Sequence, residues 1–171
     1  MRKSLFLFII LCFLSSCINN TGNENSPEKI KQQTILIAEN HIRELIKDAE
    51  KTVTIDSLIV FTGGNMKCLI DPSFILTGEI DEDTNMDAII SIFLFRDQTL
   101  ALREHLILIN KDGKLIIGKV MEGDMKFLSI KERIIYIETS KIPSDSPLYG
   151  CKVCKEINKY HFINGDTVRI K

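Results

Sequence analysis

The chain has 171 residues, of which 44% are hydrophobic and 26% are charged. This balance is typical of a folding chain and excludes a disordered tail, a collagen-like fibre and a protein with many membrane spans. The 22 basic and 23 acidic side chains give a net charge of -1. This charge argues against nucleic-acid binding, because nucleic-acid-binding proteins concentrate basic residues on one face.

The first seventeen residues have the pattern of an export signal. A basic start, Met1-Arg2-Lys3-Ser4, precedes an apolar run from Leu5 to Leu14. A helix needs roughly 20 apolar residues to cross a bilayer, and this run is about half as long. The segment is therefore typical of a secretory signal peptide.

The end of the signal carries a second pattern. Leu14-Ser15-Ser16-Cys17 resembles the lipobox of bacterial lipoproteins, which has a branched apolar residue, two small residues and a cysteine. The resemblance implies that residues 1–16 are removed, that the thiol of Cys17 carries a diacylglycerol group, and that this lipid anchors the chain to a membrane of the cell envelope. Ile18 replaces the aspartate of inner-membrane retention signals, which favours the outer membrane in a two-membrane bacterium.

Cleavage would also change the charge and leave a short linker. Without Arg2 and Lys3 the chain keeps 20 basic and 23 acidic side chains, a net charge of -3. Residues 19–25 are polar and lack periodicity, so we expect residues 17–26 to be a lipidated cysteine followed by a flexible tether. Residues 27–171 then form a single domain, long enough to bury its own core.

That domain begins with a predicted helix over residues 27–50. Ser26-Pro27 offers a hydroxyl N-cap followed by proline at the first helical position, where its missing N–H costs nothing. Apolar side chains then recur at spacings of three and four, which predicts an amphipathic helix with one buried face. The stripe consists of Ile35, Ala38, Ile42, Leu45, Ile46 and Ala49.

After Lys51 the pattern changes to short apolar runs separated by turn residues. Turns are clearest at Thr62 to Asn65, at Asp112-Gly113 and at Asn164-Gly165, which contain residues that tolerate positive φ. The pattern predicts an α+β fold, with the N-terminal helix packed on a largely antiparallel β-meander that forms a sandwich or a partly closed barrel. The predicted strands are 52–61, 66–70, 74–80, 87–95, 104–110, 114–121, 125–130, 133–139, 156–163 and 167–171.

Three cysteines remain in the domain, namely Cys68, Cys151 and Cys154. Export permits disulfides, and we favour a structural disulfide, either within the Cys151-Lys152-Val153-Cys154 motif or from one of its members to Cys68. Two alternatives stay open. The motif can act as a thiol-redox pair, or it can bind zinc with Cys68 and His161 completing four ligands.

Oxygen-bearing side chains alternate over a short acidic segment, at Asp81, Asp83, Asn85 and Asp87. This spacing resembles the opening of an EF-hand calcium loop, but Met86 stands where that loop needs glycine and Ile92 where it needs glutamate. We therefore predict a solvated acidic loop, with a calcium site as the alternative. No cofactor is predicted, and zinc and calcium remain the alternatives.

No catalytic residue is predicted. The sequence contains no Gly-x-Ser-x-Gly elbow, His-Glu-x-x-His helix, phosphate-binding glycine loop or dinucleotide fingerprint, and His41, His105 and His161 are interpreted as structural. We expect a membrane-anchored envelope lipoprotein that acts as a binding or structural module for an envelope protein or a small ligand. The alternatives are a thiol-redox or metal-binding protein that uses Cys151 and Cys154, and an immunity or inhibitor lipoprotein.

Overall fold

A computed structural model describes residues 26–54, 57–143, 146–147, 151 and 153–170. The predicted signal peptide, Cys17 and the tether before Ser26 lie outside the described residues. Export, lipid attachment and the envelope location therefore stay predictions. Within the described part of the chain, no helix is both long and apolar enough to cross a bilayer.

Helix α1 spans Pro27–Leu45. It begins as predicted, because Pro27 occupies the first turn and the Ser26 hydroxyl accepts a hydrogen bond from the Lys29 amide. It ends at residue 45 rather than at residue 50, and Asp48 then takes a positive φ of 59°. Ile46 and Ala49 still reach the core, so their spacing reflects burial that continues past the helix end.

The remaining elements are strands, and every strand pair is antiparallel. The predicted strand 52–61 contains two strands, because Thr54 forms a turn with Leu58. The predicted strand 74–80 is a short strand preceded by a 3-10 helix, Pro72–Phe74. The strands are β1 Glu50–Val53, β2 Ile59–Gly63, β3 Met66–Ile70, β4 Leu76–Gly78, β5 Asp87–Arg96, β6 Thr99–Lys111, β7 Lys114–Glu122, β8 Met125–Lys131, β9 Ile134–Ser140, β10 Lys155–Ile163 and β11 Asp166–Ile170.

The strands form two sheets, neither of which closes into a barrel. Sheet A has the order β1-β2-β3-β5-β6-β7, with β4 also paired to β5, and sheet B has the order β11-β10-β9-β8. The predicted α+β class with an N-terminal helix on an antiparallel sandwich is confirmed. The two-residue turns predicted at Asp112-Gly113 and Asn164-Gly165 are also confirmed, and all four residues have positive φ.

Two hydrophobic cores share the central strands β5 and β6. The first core lies between α1 and sheet A and contains Ile42, Ile90 and Leu106. The second lies between the two sheets and contains Ile89 and Ile107. Because side chains alternate along a strand, the central parts of these two strands, 88–92 and 104–110, are covered on both faces. Their near-continuous apolar sequences follow from this double burial.

Candidate functional site

A cavity of about 380 Å³ lies between the sheets at one end of the sandwich. Its floor consists of two cross-strand pairs on β5 and β6, Ser91 with His105 and Phe93 with Arg103. These four side chains share the face that points towards sheet B. Sheet B supplies the opposite wall from β8 and β9, including Phe127. The floor is polar and aromatic where the rest of this face is aliphatic.

Ser91 and His105 form a hydrogen-bonded pair in this floor. The Ser91 hydroxyl lies 2.8 Å from His105 Nδ1, and His105 Nε2 lies 3.3 Å from the Gly123 carbonyl oxygen. A carbonyl only accepts, so Nε2 carries the proton and Nδ1 accepts from Ser91. His105 is 1% exposed, and its burial lowers its pKa from 6.5 to about 4.

This pair resembles the serine and histidine of a nucleophilic site, but its electrostatics differ. A useful general base has a pKa near the working pH, whereas the buried imidazole of His105 has its pKa lowered to about 4. The Phe127 ring also packs on the imidazole, with the two ring centres 4.9 Å apart. At neutral pH the pair therefore presents a neutral polar surface to the cavity.

Arg103 brings a positive charge to the same floor. Its Nη1 donates to Asp124 Oδ1 at 2.5 Å, and the guanidinium carbon lies 5.0 Å from the centre of the Phe93 ring. Its buried Nε has no hydrogen-bond partner among the described residues. The side chain of Asp124 is 53% exposed, so the ion pair lies at the edge of the cavity where water screens it.

Two lysines lie close to the cavity on the outer face of sheet B. Lys155 donates to Glu138 Oε1 at 2.6 Å. Lys126 is exposed, and no ion pair joins it to another described residue. Lys126 stands between Met125 and Phe127, which face the core between the sheets, so by strand alternation Lys126 and its cross-strand neighbour Glu138 point away from the cavity. Among the described residues, the charged side chains that face the cavity are those of Arg103 and Asp124.

A disulfide joins Cys151 to Cys154, and Cys151 lies on the cavity wall. The connection is reinforced by backbone hydrogen bonds from Cys154 to Cys151 and from Lys141 to Cys154, at 3.1 and 2.8 Å. Cys68 lies apart in the core beneath α1, and its burial there, together with the charge of Glu104, raises its pKa to about 12. The disulfide therefore closes within the motif and leaves Cys68 as a buried thiol.

The proposed zinc ligands are not brought together. Cys151 and Cys154 are bonded to each other, and Cys68 lies on the opposite face of sheet A. His161 pairs with Val168 on β10 and, by strand alternation, points away from the core that holds Phe162. Among the described residues, no group of three or more His, Cys, Asp or Glu side chains is placed to hold a metal ion.

Three of the four proposed calcium ligands, the aspartates, accept hydrogen bonds from backbone amides, whereas the Asn85 side chain donates to Asp83 and to the Asn110 carbonyl. Asp87 is fully buried and accepts hydrogen bonds from the Ile80 and Asn110 amides, at 2.7 and 2.8 Å. Burial nevertheless raises the pKa of Asp87 from 3.8 to about 6. Asp81 and Asp83 likewise accept from loop amides, Asp83 from both the amide and the side chain of Asn85.

A second cavity, of about 580 Å³, lies beside this acidic loop at the opposite end of β6. Its apolar walls come from Ile109, Ile116 and Phe162, and its rim contains Asp81 with the lysine that neutralises it, Lys111. The two cavities therefore lie at opposite ends of the space between the sheets.

Sequence reasoning missed the polar floor of the first cavity. Ser91, Arg103 and His105 stand in or beside apolar runs, and His105 was interpreted as a structural histidine. The available signal was alternation, because all three occupy inward-facing positions of strands whose other inward residues are apolar.

Comparison with protein-family models, with curated proteins and with solved structures finds no match to this chain.

Proposed function

We propose that the protein is a lipid-anchored envelope protein whose domain binds a small molecule in the cavity above Ser91, Phe93, Arg103 and His105. The observation that carries this proposal is the cavity itself, which combines aromatic walls with convergent polar side chains. Its volume of about 380 Å³ lies within the usual range for small-ligand sites. Cys17 would hold this binding domain close to the membrane through its lipid.

Binding is favoured over catalysis because the His105 imidazole is already hydrogen-bonded at both nitrogens and is a weak base. Its two ring nitrogens are engaged by Ser91 and by the Gly123 carbonyl, and burial lowers its pKa to about 4. An imidazole with that pKa is a weak base for activating the Ser91 hydroxyl. The Ser91 oxygen keeps lone pairs, so the pair is better suited to accept a hydrogen bond from a bound molecule.

Ligand binding can be tested by narrowing the cavity. Met125→Trp enlarges an apolar side chain of the cavity wall, and Ile157→Trp places the same residue on an exposed position outside it. Ligand-observed NMR of a mixture of small aromatic and aliphatic molecules would compare both variants with the full chain in the same mild detergent. We expect binding to the wild type and to Ile157→Trp but not to Met125→Trp. Equal binding by all three proteins would contradict the proposal.

Lipid anchoring is tested separately by replacing Cys17 and, as a control, Cys12. Cys17→Ser should release the protein from the membrane fraction and remove the lipid mass, because the thiol that forms the thioether is gone. Cys12→Ser is the matched control, since residue 12 would be removed with the signal peptide and lipidation should be unaffected. A Cys17→Ser protein that stays in the membrane with unchanged mass would exclude the lipobox interpretation.

A further inference from the structure

We infer that the outer face of sheet B, which points away from sheet A, docks on the surface of an anionic lipid bilayer. The inference rests on the lipid anchor of the proposed function and does not depend on the proposed cavity ligand. Three features lead to it: an excess of lysines on this face, exposed aliphatic side chains among them, and a tether that keeps the face within reach of the membrane.

The first feature is the charge of the face. Phe127 and Ile137 belong to the core between the sheets, so the side chains that alternate with them along the strands point outwards. Every position of the four strands lies within the described residues, so the charges at their outward positions can be counted completely. Four of these positions are lysines and two are acidic, namely Lys126, Lys131, Lys155 and Lys159 against Glu138 and Asp166.

Three of the four lysines have no acidic partner among the described residues. Glu138 accepts a hydrogen bond from Lys155 at 2.6 Å, whereas Asp166 is bonded to Lys119, which belongs to β7 of the other sheet. The chain without residues 1–16 has a net charge of -3, so this face is opposite in sign to the molecule as a whole. The complementary partner therefore carries negative charge.

The second feature is a set of exposed aliphatic side chains among these lysines. The outward positions of β10 read Lys-Ile-Lys-His-Ile from residue 155 to residue 163. Ile157 is 59% exposed, and Ile163 and the β11 residue Val168 are also exposed. A bilayer surface accommodates both kinds of side chain, because aliphatic groups enter the interface while lysine stems extend and place their ammonium groups among the headgroups.

The third feature is the length of the tether. Eight residues lie between Cys17 and Ser26, so these two residues are at most about 30 Å apart. Packed layers lie about 10 Å apart, which places sheet B about 20 Å from α1, where the tether ends. The tether can therefore span the distance when this face contacts the bilayer. Docking of an anchored domain is intramolecular, so a face with few charges suffices.

Docking can be measured with a nitrobenzoxadiazole label on the full lipidated chain in vesicles. Ile157→Cys places the label on the outer face of sheet B, and Leu36→Cys places it on an equally exposed position of α1. The vesicles contain phosphatidylcholine alone or equal parts of phosphatidylcholine and phosphatidylglycerol, and a nitroxide lipid in both quenches a label that reaches the bilayer.

We expect strong quenching at residue 157 in the phosphatidylglycerol vesicles and little quenching at residue 36 in either kind. The ratio of docked to undocked protein at residue 157 should be at least about fivefold higher with phosphatidylglycerol than without it, which is the worth of one lysine near an anionic surface. The difference should shrink as salt is raised, because the charges involved are exposed.

Two pairs of exposed lysines provide matched variants with the same net charge. Lys126→Glu/Lys131→Glu reverses charges on the outer face of sheet B, and Lys31→Glu/Lys47→Glu reverses charges in α1 and in the turn after it. The effect of phosphatidylglycerol on the label at residue 157 should disappear in the first pair and persist in the second. Equal losses in both pairs would mean that overall charge is responsible, and the inference would be wrong.

The remaining outcomes separate docking from anchoring. If the protein floats with phosphatidylcholine vesicles but residue 157 is quenched no more with phosphatidylglycerol, the anchor holds and the inference is wrong. An unquenched label together with a dimeric mass in native mass spectrometry would mean that a second copy covers the face, which also overturns the inference. Flotation with phosphatidylglycerol vesicles alone would support docking and contradict the anchor, and flotation with neither kind would overturn both.

Discussion

The two ends of the sandwich use charged residues in different ways. At the acidic end, Asp87 and its neighbours accept hydrogen bonds from amides of their own loop and from the Asn110 amide of β6. At the opposite end, Arg103 and Ser91 project into the space between the sheets. The acidic end has the more conspicuous sequence, yet its carboxylates stabilise a loop. Whether a polar residue is available to a ligand depends on what the backbone around it already requires.

The strongest disruption of the acidic end should come from Asp87→Ala. The change leaves buried amides of Ile80 and Asn110 without an acceptor, so we expect a loss of about 3 to 5 kcal/mol in the free energy of unfolding. Urea titration followed by circular dichroism measures this loss. Glu82→Ala, an exposed change in the same loop, should cost less than about 0.5 kcal/mol. Similar values for the two variants would mean that Asp87 does not hold the loop.

The two ends should also respond to pH in opposite directions. The pKa of Asp87 is raised from 3.8 to about 6, so its contribution to stability is present at low pH and is lost as pH rises through 6. The pKa of His105 is lowered from 6.5 to about 4, so its contribution is present above 6.5 and is lost as pH falls towards 4. Each effect is on the order of 3 kcal/mol, and in the wild type they largely cancel between pH 4 and 6.

Single variants should expose each contribution. His105→Gln leaves the Asp87 effect alone, so stability should fall as pH is raised from 4 to 6. Asp87→Asn leaves the His105 effect alone, so stability should fall as pH is lowered from 6.5 to 4. Urea unfolding at pH steps of half a unit would measure both slopes. Parallel pH profiles for the wild type and both variants would contradict the assigned environments.

Packing beside the second cavity can be tested with Gly118→Ala. An added Cβ would lie 2.7 Å from Ile109 Cγ1 and 3.2 Å from Phe162 Cζ, so the two walls of the sandwich would have to separate. Overpacking of this kind costs about 1 to 3 kcal/mol. Differential scanning calorimetry should show a lower Tm, and Ile109→Ala, which removes the crowded Cγ1, should lower the Tm less in Gly118→Ala than in the wild type. An unchanged Tm would show that the strands shift freely there.

At the first cavity, the disulfide should contribute a smaller amount. A bond between residues three apart closes a short loop, and the loop-entropy relation gives about 2 kcal/mol. We expect the double variant Cys151→Ser/Cys154→Ser to remain folded and to lose about that much. In the native wild type, iodoacetamide should label neither these cysteines nor Cys68, whose thiol is buried. Rapid native labelling of two thiols would indicate that the reduced motif predominates.

The fold was largely predictable, because the spacing of apolar residues and the residue types of turns can be recognised within a few neighbouring positions of the chain. The start of α1 follows from Ser26-Pro27, and its apparent length was overestimated because Ile46 and Ala49 are buried without being helical. Two hairpin turns, at 97–98 and 132–133, contain no glycine although all four residues have positive φ. Their conformations are imposed by the flanking strands, so no local signal marked them.

The cavity was not predictable from the same signals. Its floor depends on which residues of β5 and β6 meet across the register, such as Ser91 with His105. Its upper wall depends on how sheet B lies over that floor, and neither relation is encoded in a short stretch of sequence.

The double burial of β5 and β6 has a consequence for molecular recognition. Strand segments covered on both faces open only when both cores separate, so the amide hydrogens in the central parts of β5 and β6 should exchange only through global unfolding. Ser91, Arg103 and His105 therefore stand on the least mobile part of the molecule, while the opposing sheet has one face in water. A guest molecule would meet a floor already in its final arrangement. The entropy lost on association would then come from the guest and from the covering strands rather than from the polar groups that select it.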